Sequence, residues 1–244
     1  MTATSAPQEL PLVEHPLLLL DYDGTLAEIA ANPDHALPHP QVPDLLRAVA
    51  QRFPVRVISG RKVADLARLL PVPDLIAVGV HGMEEGRLGG EVGSRLDTAS
   101  RELMKSARAD LPAVPGVRVE DKGAAIALHY RGVADEDQVV GELRRWAERL
   151  AAGLEAVWGK MVVEVRPLGF DKGRAARELA AEHPDAVPVM IGDDTTDEDA
   201  FRALTAAEHR DGDAVTIKVG PGETAARYRL ADIEAVVAYL RRYL

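Results

Sequence analysis

A chain of 244 residues is long enough for one large domain or two small ones. Its 47% hydrophobic and 28% charged residues are ordinary for a globular protein, and a net charge of −10 argues against nucleic acid or an anionic membrane as the main partner. Cysteine is absent, which excludes disulfides and thiolate metal sites and fits a reducing cytosol, so a cytoplasmic protein is expected. Residues 1–16 lack a basic region and a long apolar run, so no signal peptide is expected. The leucine run 17–20 is far too short to span a bilayer.

In chain order, residues 16–21 read as a strand buried on both faces, which runs into Asp21-Tyr22-Asp23-Gly24-Thr25. Two carboxylates at i and i+2 on a strand share a face, and like charges that close require a cation, a shared proton, or both. Residues 32–43 read as a Pro- and His-rich loop whose His35 and His39 have no paired ligands. A helix is predicted over 42–52, a strand over 55–58 ending at Ser59-Gly60-Arg61, a helix over 62–70, and a strand over 75–80 ending at His81-Gly82. This alternation implies a parallel sheet with right-handed crossovers.

The pattern then changes. Helices are predicted over 98–110 and 135–150, the second with Val139, Leu143, Trp146 and Leu150 on one stripe. Strands are predicted over 117–120, 124–131, 155–158 and 161–165. Residues 97–166 therefore read as an inserted α+β module of order αββαββ. Glu120, Lys122, Arg131, Lys160, Glu164 and Arg166 lie on or beside its strands; read alone, they form a salt-bridged sheet face. The first pattern resumes with a helix over 171–182, a buried strand over 187–191 ending in Gly192-Asp193-Asp194, a helix over 196–204, a strand over 214–219 and a helix over 233–240. Arg210, Asp211 and Asp213 read as a solvated turn. The fold class is α/β: a doubly wound parallel-sheet core, residues 1–96 and 167–244, interrupted by the module at 97–166.

Four core strands end in polar, Gly-containing turns, and in open α/β sheets ligands bind beyond the carboxyl ends of the strands. The ordered set Asp21-x-Asp23-Gly24-Thr25, Ser59-Gly60-Arg61, Lys172-Gly173 and Gly192-Asp193-Asp194-x-Thr196-Asp197-Glu198 resembles the haloacid dehalogenase (HAD) superfamily of phosphatases. Within it, His81-Gly82, Glu120-x-Lys122 and Lys160…Glu164-x-Arg166-Pro167 resemble the trehalose-6-phosphate phosphatases.

The resemblance implies a HAD-like core with the inserted module as a cap, and an Mg²⁺-dependent phosphatase acting on trehalose 6-phosphate. It implies that Asp21 is the nucleophile and Asp23 the acid and base. Mg²⁺ would be held by Asp21, the Asp23 carbonyl and Asp193, with Asp194 as an outer or second ligand and Asp197 in support. Thr25, Ser59, Lys172 and the main-chain N–H groups of Gly60 and Arg61 would surround the phosphoryl group. His81, Gly82, Glu120, Lys122, Arg131, Lys160 and Glu164 would face the sugar, while Arg166 would sit at the cap–core junction. Met161 and Val162 are apolar where relatives often carry a polar sugar contact. Hinges are expected near 93–97 and 166–169. A phosphatase for sucrose phosphate or mannosyl-phosphoglycerate shares this chemistry, and a non-catalytic sugar-phosphate binding subunit would lack one of the reacting residues. A monomer is one reading that the sequence allows.

Overall fold

The leucine run becomes the middle of the principal sheet. A computed structural model describes residues 4–30, 32–159, 161–207 and 213–244. Their contacts divide into two compact units, Met1–Gly93 with Asp171–Leu244, and Ser94–Phe170.

The first unit contains β1 (Pro16–Leu20), α1 (Val42–Ala50), β2 (Val55–Ile58), α2 (Val63–Leu69), β3 (Ile76–Gly79), β4 (Glu84–Arg87) and most of β5 (Val92–Ser94). The second holds α3 (Thr98–Ala109), β6 (Arg118–Asp121), β7 (Ile126–His129), α4 (Glu136–Ala147), β8 (Leu154–Gly159) and β9 (Val162–Pro167). The chain returns to the first with α5 (Lys172–Glu182), β10 (Val187–Gly192), α6 (Thr195–Ala206), β11 (Val215–Val219), β12 (Tyr228–Leu230) and α7 (Ile233–Leu240).

The principal sheet has the order β12-β11-β10-β1-β2-β3-β4-β5. It is parallel from β12 to β3, and β4 joins antiparallel. All five residues of β1 are buried because their alternate side chains feed opposite layers. Leu18 and Leu20 pack in one cluster with Leu46 and Val49 of α1, Leu66 of α2 and Val236 and Leu240 of α7. Leu17 and Leu19 pack in the other with Ala176 and Leu179 of α5 and Phe201 and Leu204 of α6. A run of four leucines is the pattern such a two-sided strand requires. The hairpin of β4 and β5 and the short β12 were not predicted. The first is polar and half-exposed, and the last spans only three residues, so neither carries an apolar alternation.

The second unit is an antiparallel sheet of order β6-β7-β9-β8. Leu128, Val163 and Val165 point to one face and pack with Val139, Leu143 and Trp146 of α4. Both helices are N-capped by the aspartates that precede them, Asp97 and Asp135. Among the described residues no helix is long and apolar enough to cross a membrane.

The Trp146 ring is buried and its Nε1 donates to the Asp110 carbonyl at 2.8 Å, tying α4 to the end of α3. Trp146→Ala removes both the packing and the donor, and should cost about 3–5 kcal/mol in chemical denaturation. A loss under about 1 kcal/mol would contradict this packing.

Candidate active site

The carboxyl end of β1 delivers the central carboxylate. The strand stops at Leu20, and the Asp21 amide donates to the Ile191 carbonyl of β10 at 2.9 Å, so Asp21 is anchored beside the end of that neighbouring strand. Its side chain is buried. Lys172, first residue of α5 and also buried, donates from Nζ to Asp21 Oδ1 at 2.6 Å and to Asp197 Oδ1 at 2.8 Å. Burial alone would lower the Lys172 ammonium; the charges of Asp21 and Asp197 overcome it and hold the group raised, hence charged.

Asp197 is the hub of the Gly192-Asp193-Asp194 turn. Its Oδ2 accepts from the amides of Asp193 and Asp194 at 3.0 Å each, while its Oδ1 takes the lysine. Asp194 caps α6, accepting from the Thr195 amide at 2.6 Å. Both Asp197 oxygens are thus engaged. Asp193 is different: among the described residues no donor reaches its carboxylate. Burial, reinforced by the charge of Asp197, pushes the Asp193 carboxyl up to about 6. Burial also pushes Asp21 well above the usual carboxylate range, against the pull of Lys172 and with the help of Asp197 and Asp193.

Oxygens of Asp21, Asp193 and Asp197 lie within 4.8 Å of one another, and these three carboxylates face two ammonium groups, Lys172 on Asp21 and Asp197 and Lys218 near Asp193. Hard oxygen donors short of positive charge fit a small divalent cation. Asp21 and Asp193 are the ones with capacity left to hold it. Gly24 leaves the room: it takes a left-handed φ of 74°, and a Cβ there would overlap the Asp193 carboxylate.

Three further groups lie in the turns that follow β1, β2 and β3. Ser59 is buried after β2, and its Oγ accepts from the Arg61 amide at 3.2 Å, which leaves the hydroxyl hydrogen to donate. Thr25 Oγ1 is buried and has no hydrogen-bond partner among the described residues. The His81 ring lies over Gly60, where a Cβ would come within 2.7 Å of it. Holding it there requires Val80 and His81 both at left-handed φ, 48° and 54°. For a β-branched residue such a backbone is strained, and such strain gathers at functional sites.

Asp23 points to a different partner from Asp21. Arg61 grips it with a fork, Nε to Oδ2 at 2.7 Å and Nη2 to Oδ1 at 2.6 Å. A third donor, Nη1, reaches the Pro33 carbonyl at 2.8 Å. The acids that crowd Asp21 are therefore Asp193 and Asp197 rather than Asp23. The sequence reading used only the Arg61 main chain.

Residues 19–234 match the trehalose-phosphatase family model. The chain belongs to the trehalose-phosphatase family. It is 33% identical over 246 residues to the trehalose-6-phosphate phosphatase of Escherichia coli, covering 94% of this chain and 89% of that one. It is 31% identical over 250 residues to trehalose 6-phosphate phosphatase RA3 of Zea mays, covering 93% and 69%. A solved trehalose-6-phosphate phosphatase related protein aligns with a TM-score of 0.72 at 29% identity, covering 92% and 95%. A haloacid dehalogenase-like hydrolase of Bacteroides thetaiotaomicron, at 15% identity and a TM-score of 0.66, shares the fold.

In this family member the second unit carries its own polar face, opposite the one packed on α4. Glu120, Ala127, Glu164 and Val157 stand in one register row across four strands. Lys122 donates to Glu164 at 2.7 Å, and the His129 ring meets Glu120 at 2.8 Å. Arg166 bonds Glu155 on the adjacent strand at 2.8 Å, a contact inside this sheet. Arg131 is exposed in the turn after β7. Lys160, Arg210 and Asp211 lie outside the described residues.

Two residues of these sites were not singled out in the sequence. Lys218 of β11 is buried and donates to the Asp193 carbonyl; a lysine inside Val215–Val219 was the available signal. His129 alternates with Ile126 and Leu128, and that parity assigns it to the polar face.

A saturating divalent cation should stabilise the wild type. At a hundredfold excess over Kd the gain is ~2.7 kcal/mol, or ~5–10 °C in Tm. Asp193→Asn should remove most of that shift. An unchanged wild-type Tm, or a shift kept in Asp193→Asn, would contradict the cation site.

Proposed function

We propose that this protein is an Mg²⁺-dependent phosphatase that hydrolyses trehalose 6-phosphate to trehalose and phosphate through a phosphorylated Asp21. The observation that carries the reading is the buried Lys172 ammonium held between Asp21 and Asp197, with Asp193 alongside and short of positive charge.

Lys172 donates to Oδ1 of Asp21, and we assign the attack to Oδ2, the oxygen outside that hydrogen bond. It forms a bond to phosphorus as the bond from phosphorus to the sugar oxygen breaks. Asp23 gives its proton to that leaving oxygen. Both Asp23 oxygens sit in the Arg61 fork, so one must leave the fork before the proton can pass. In the second half Asp23 takes a proton from water, the water oxygen bonds to phosphorus, and the bond from phosphorus to Asp21 breaks. The Ser59 hydroxyl and the Gly60 amide offer donors to the phosphoryl oxygens, the Arg61 amide would join them on leaving Ser59 Oγ, and Thr25 Oγ1, without a partner among the described residues, would serve the same purpose. A bound Mg²⁺, held by Asp21 and Asp193 and by the Asp23 carbonyl, supplies charge neutralisation for the phosphoryl group.

The unit Ser94–Phe170 serves as the cap, and its polar face offers carboxylates and cations that suit a molecule rich in hydroxyls. Lys160 and Arg131 belong to the same sugar set, as does His81 beside the phosphate turn. Segments 93–97 and 166–169 act as hinges.

Phosphate release should be strong with trehalose 6-phosphate and Mg²⁺ and weak with sucrose phosphate and mannosyl-phosphoglycerate; the reverse order would overturn the substrate. Asp21→Asn should lower turnover by roughly 10³-fold or more. Retained turnover would overturn the nucleophile.

A further inference from the structure

The polar face of the second unit contains a residue to which no role has been assigned so far. Glu120 and Glu164 flank Ala127 in one register row, one strand to either side. Each carboxylate meets a basic side chain on the same face: Glu164 meets Lys122 at 2.7 Å and Glu120 meets His129 at 2.8 Å. The arrangement is paired, yet only the lysine half was visible as a motif.

The chemistry of the histidine pair can be worked out from Glu120. Burial works to raise its carboxyl, but the His129 hydrogen bond and the Lys122 charge outweigh burial and leave it below its ordinary value. Glu120 is therefore ionised and can only accept, so the ring donates from Nε2. That donor occupies one lone pair of Oε2 and leaves the other positions to accept from a ligand. It also sets the direction of a side chain that otherwise turns freely about three bonds. Both members remain about one-third exposed, at 30% for His129 and 34% for Glu120, so the pair borders solvent rather than core. The neighbours of His129 in its row are Arg118 on β6 and Val162 on β9. Neither is a carboxylate, and Glu120 is the acceptor the ring meets.

We infer that His129 is a positioning residue for sugar recognition: it fixes the Glu120 carboxylate toward the disaccharide hydroxyls, as Lys122 fixes Glu164. This rests on the reading that the polar face of the cap takes the sugar. His129 acts through Glu120 and plays no part in the phosphoryl steps. It therefore contributes to the capture of the disaccharide and leaves the chemistry of Asp21 untouched.

Steady-state kinetics of the full chain with trehalose 6-phosphate and Mg²⁺ test this. His129→Ala should raise KM about tenfold or more, the scale of a hydrogen bond to a charged group, with kcat within about twofold and an unchanged Tm. His129→Gln, whose amide N–H reaches near the position of Nε2, should restore KM to within about threefold of the wild type. An unchanged KM in His129→Ala, an equal fall in kcat, or a failure of His129→Gln to rescue would each overturn the assignment. Glu120→Ala and Glu164→Ala separate the sugar-facing role of the cap from the role of His129. If neither raises KM, the sugar-facing reading of the cap falls; if both do and His129→Ala does not, only the role of His129 falls.

Discussion

The site hangs on one buried ammonium. Lys172 joins three chain segments far apart in sequence: the end of β1 through Asp21, the start of α6 through Asp197, and α5, which it begins. A buried charge is tolerated only when it is paired and hydrogen-bonded, and removing one partner of such a pair is costly. The lysine therefore cannot be relocated without unpairing two carboxylates. Its position also fixes which oxygen of Asp21 it engages, Oδ1.

Around that ammonium the protein has concentrated more negative charge than it neutralises. Asp21 and Asp193 are both driven upward by burial, and Asp197 adds to each. The excess is stable only because hydrogen bonds hold Asp197 from two directions and because a glycine at position 24 makes space for Asp193. Such a cluster is poorly suited to the protein alone and well suited to a bound cation and a phosphorylated ligand, whose charges balance the excess in different places.

The legible part of this architecture was the part written in runs and turns. Leucines 17–20 announce a strand buried on both sides, and the Asp, Ser-Gly-Arg and Gly-Asp-Asp turns mark strand ends that converge because the strands are parallel. The contacts between turns were less legible. The fork of Arg61 on Asp23 joins residues 38 positions apart and depends on how β2 is set beside β1, which local patterning does not encode. His129 reaches Glu120 nine residues back across a hairpin, and a histidine on an alternating strand announces a face but not a partner. Lys218 was obscured by the apolar strand that carries it. The hairpin of β4 and β5 was lost for the opposite reason, since Glu84–Arg87 is too polar to read as a strand.

The place where the chain leaves the second unit has a mechanical consequence. That unit ends at Phe170, and Lys172 follows after a single intervening residue. The ammonium therefore lies almost at the point where the chain passes from one unit to the other. Two features hold the turn that carries it. Asp171 grips the Arg174 amide at 2.7 Å, and Gly173 lets α5 lie so close to the Asp199 carbonyl that a Cβ would come within 2.6 Å of it. The first turn of α5 is thereby riveted to α6 as well as to its own cap. The residue that anchors the carboxylate cluster is thus seated in a turn held from two sides, one residue past the unit boundary. Both contacts lie in the turn that carries Lys172.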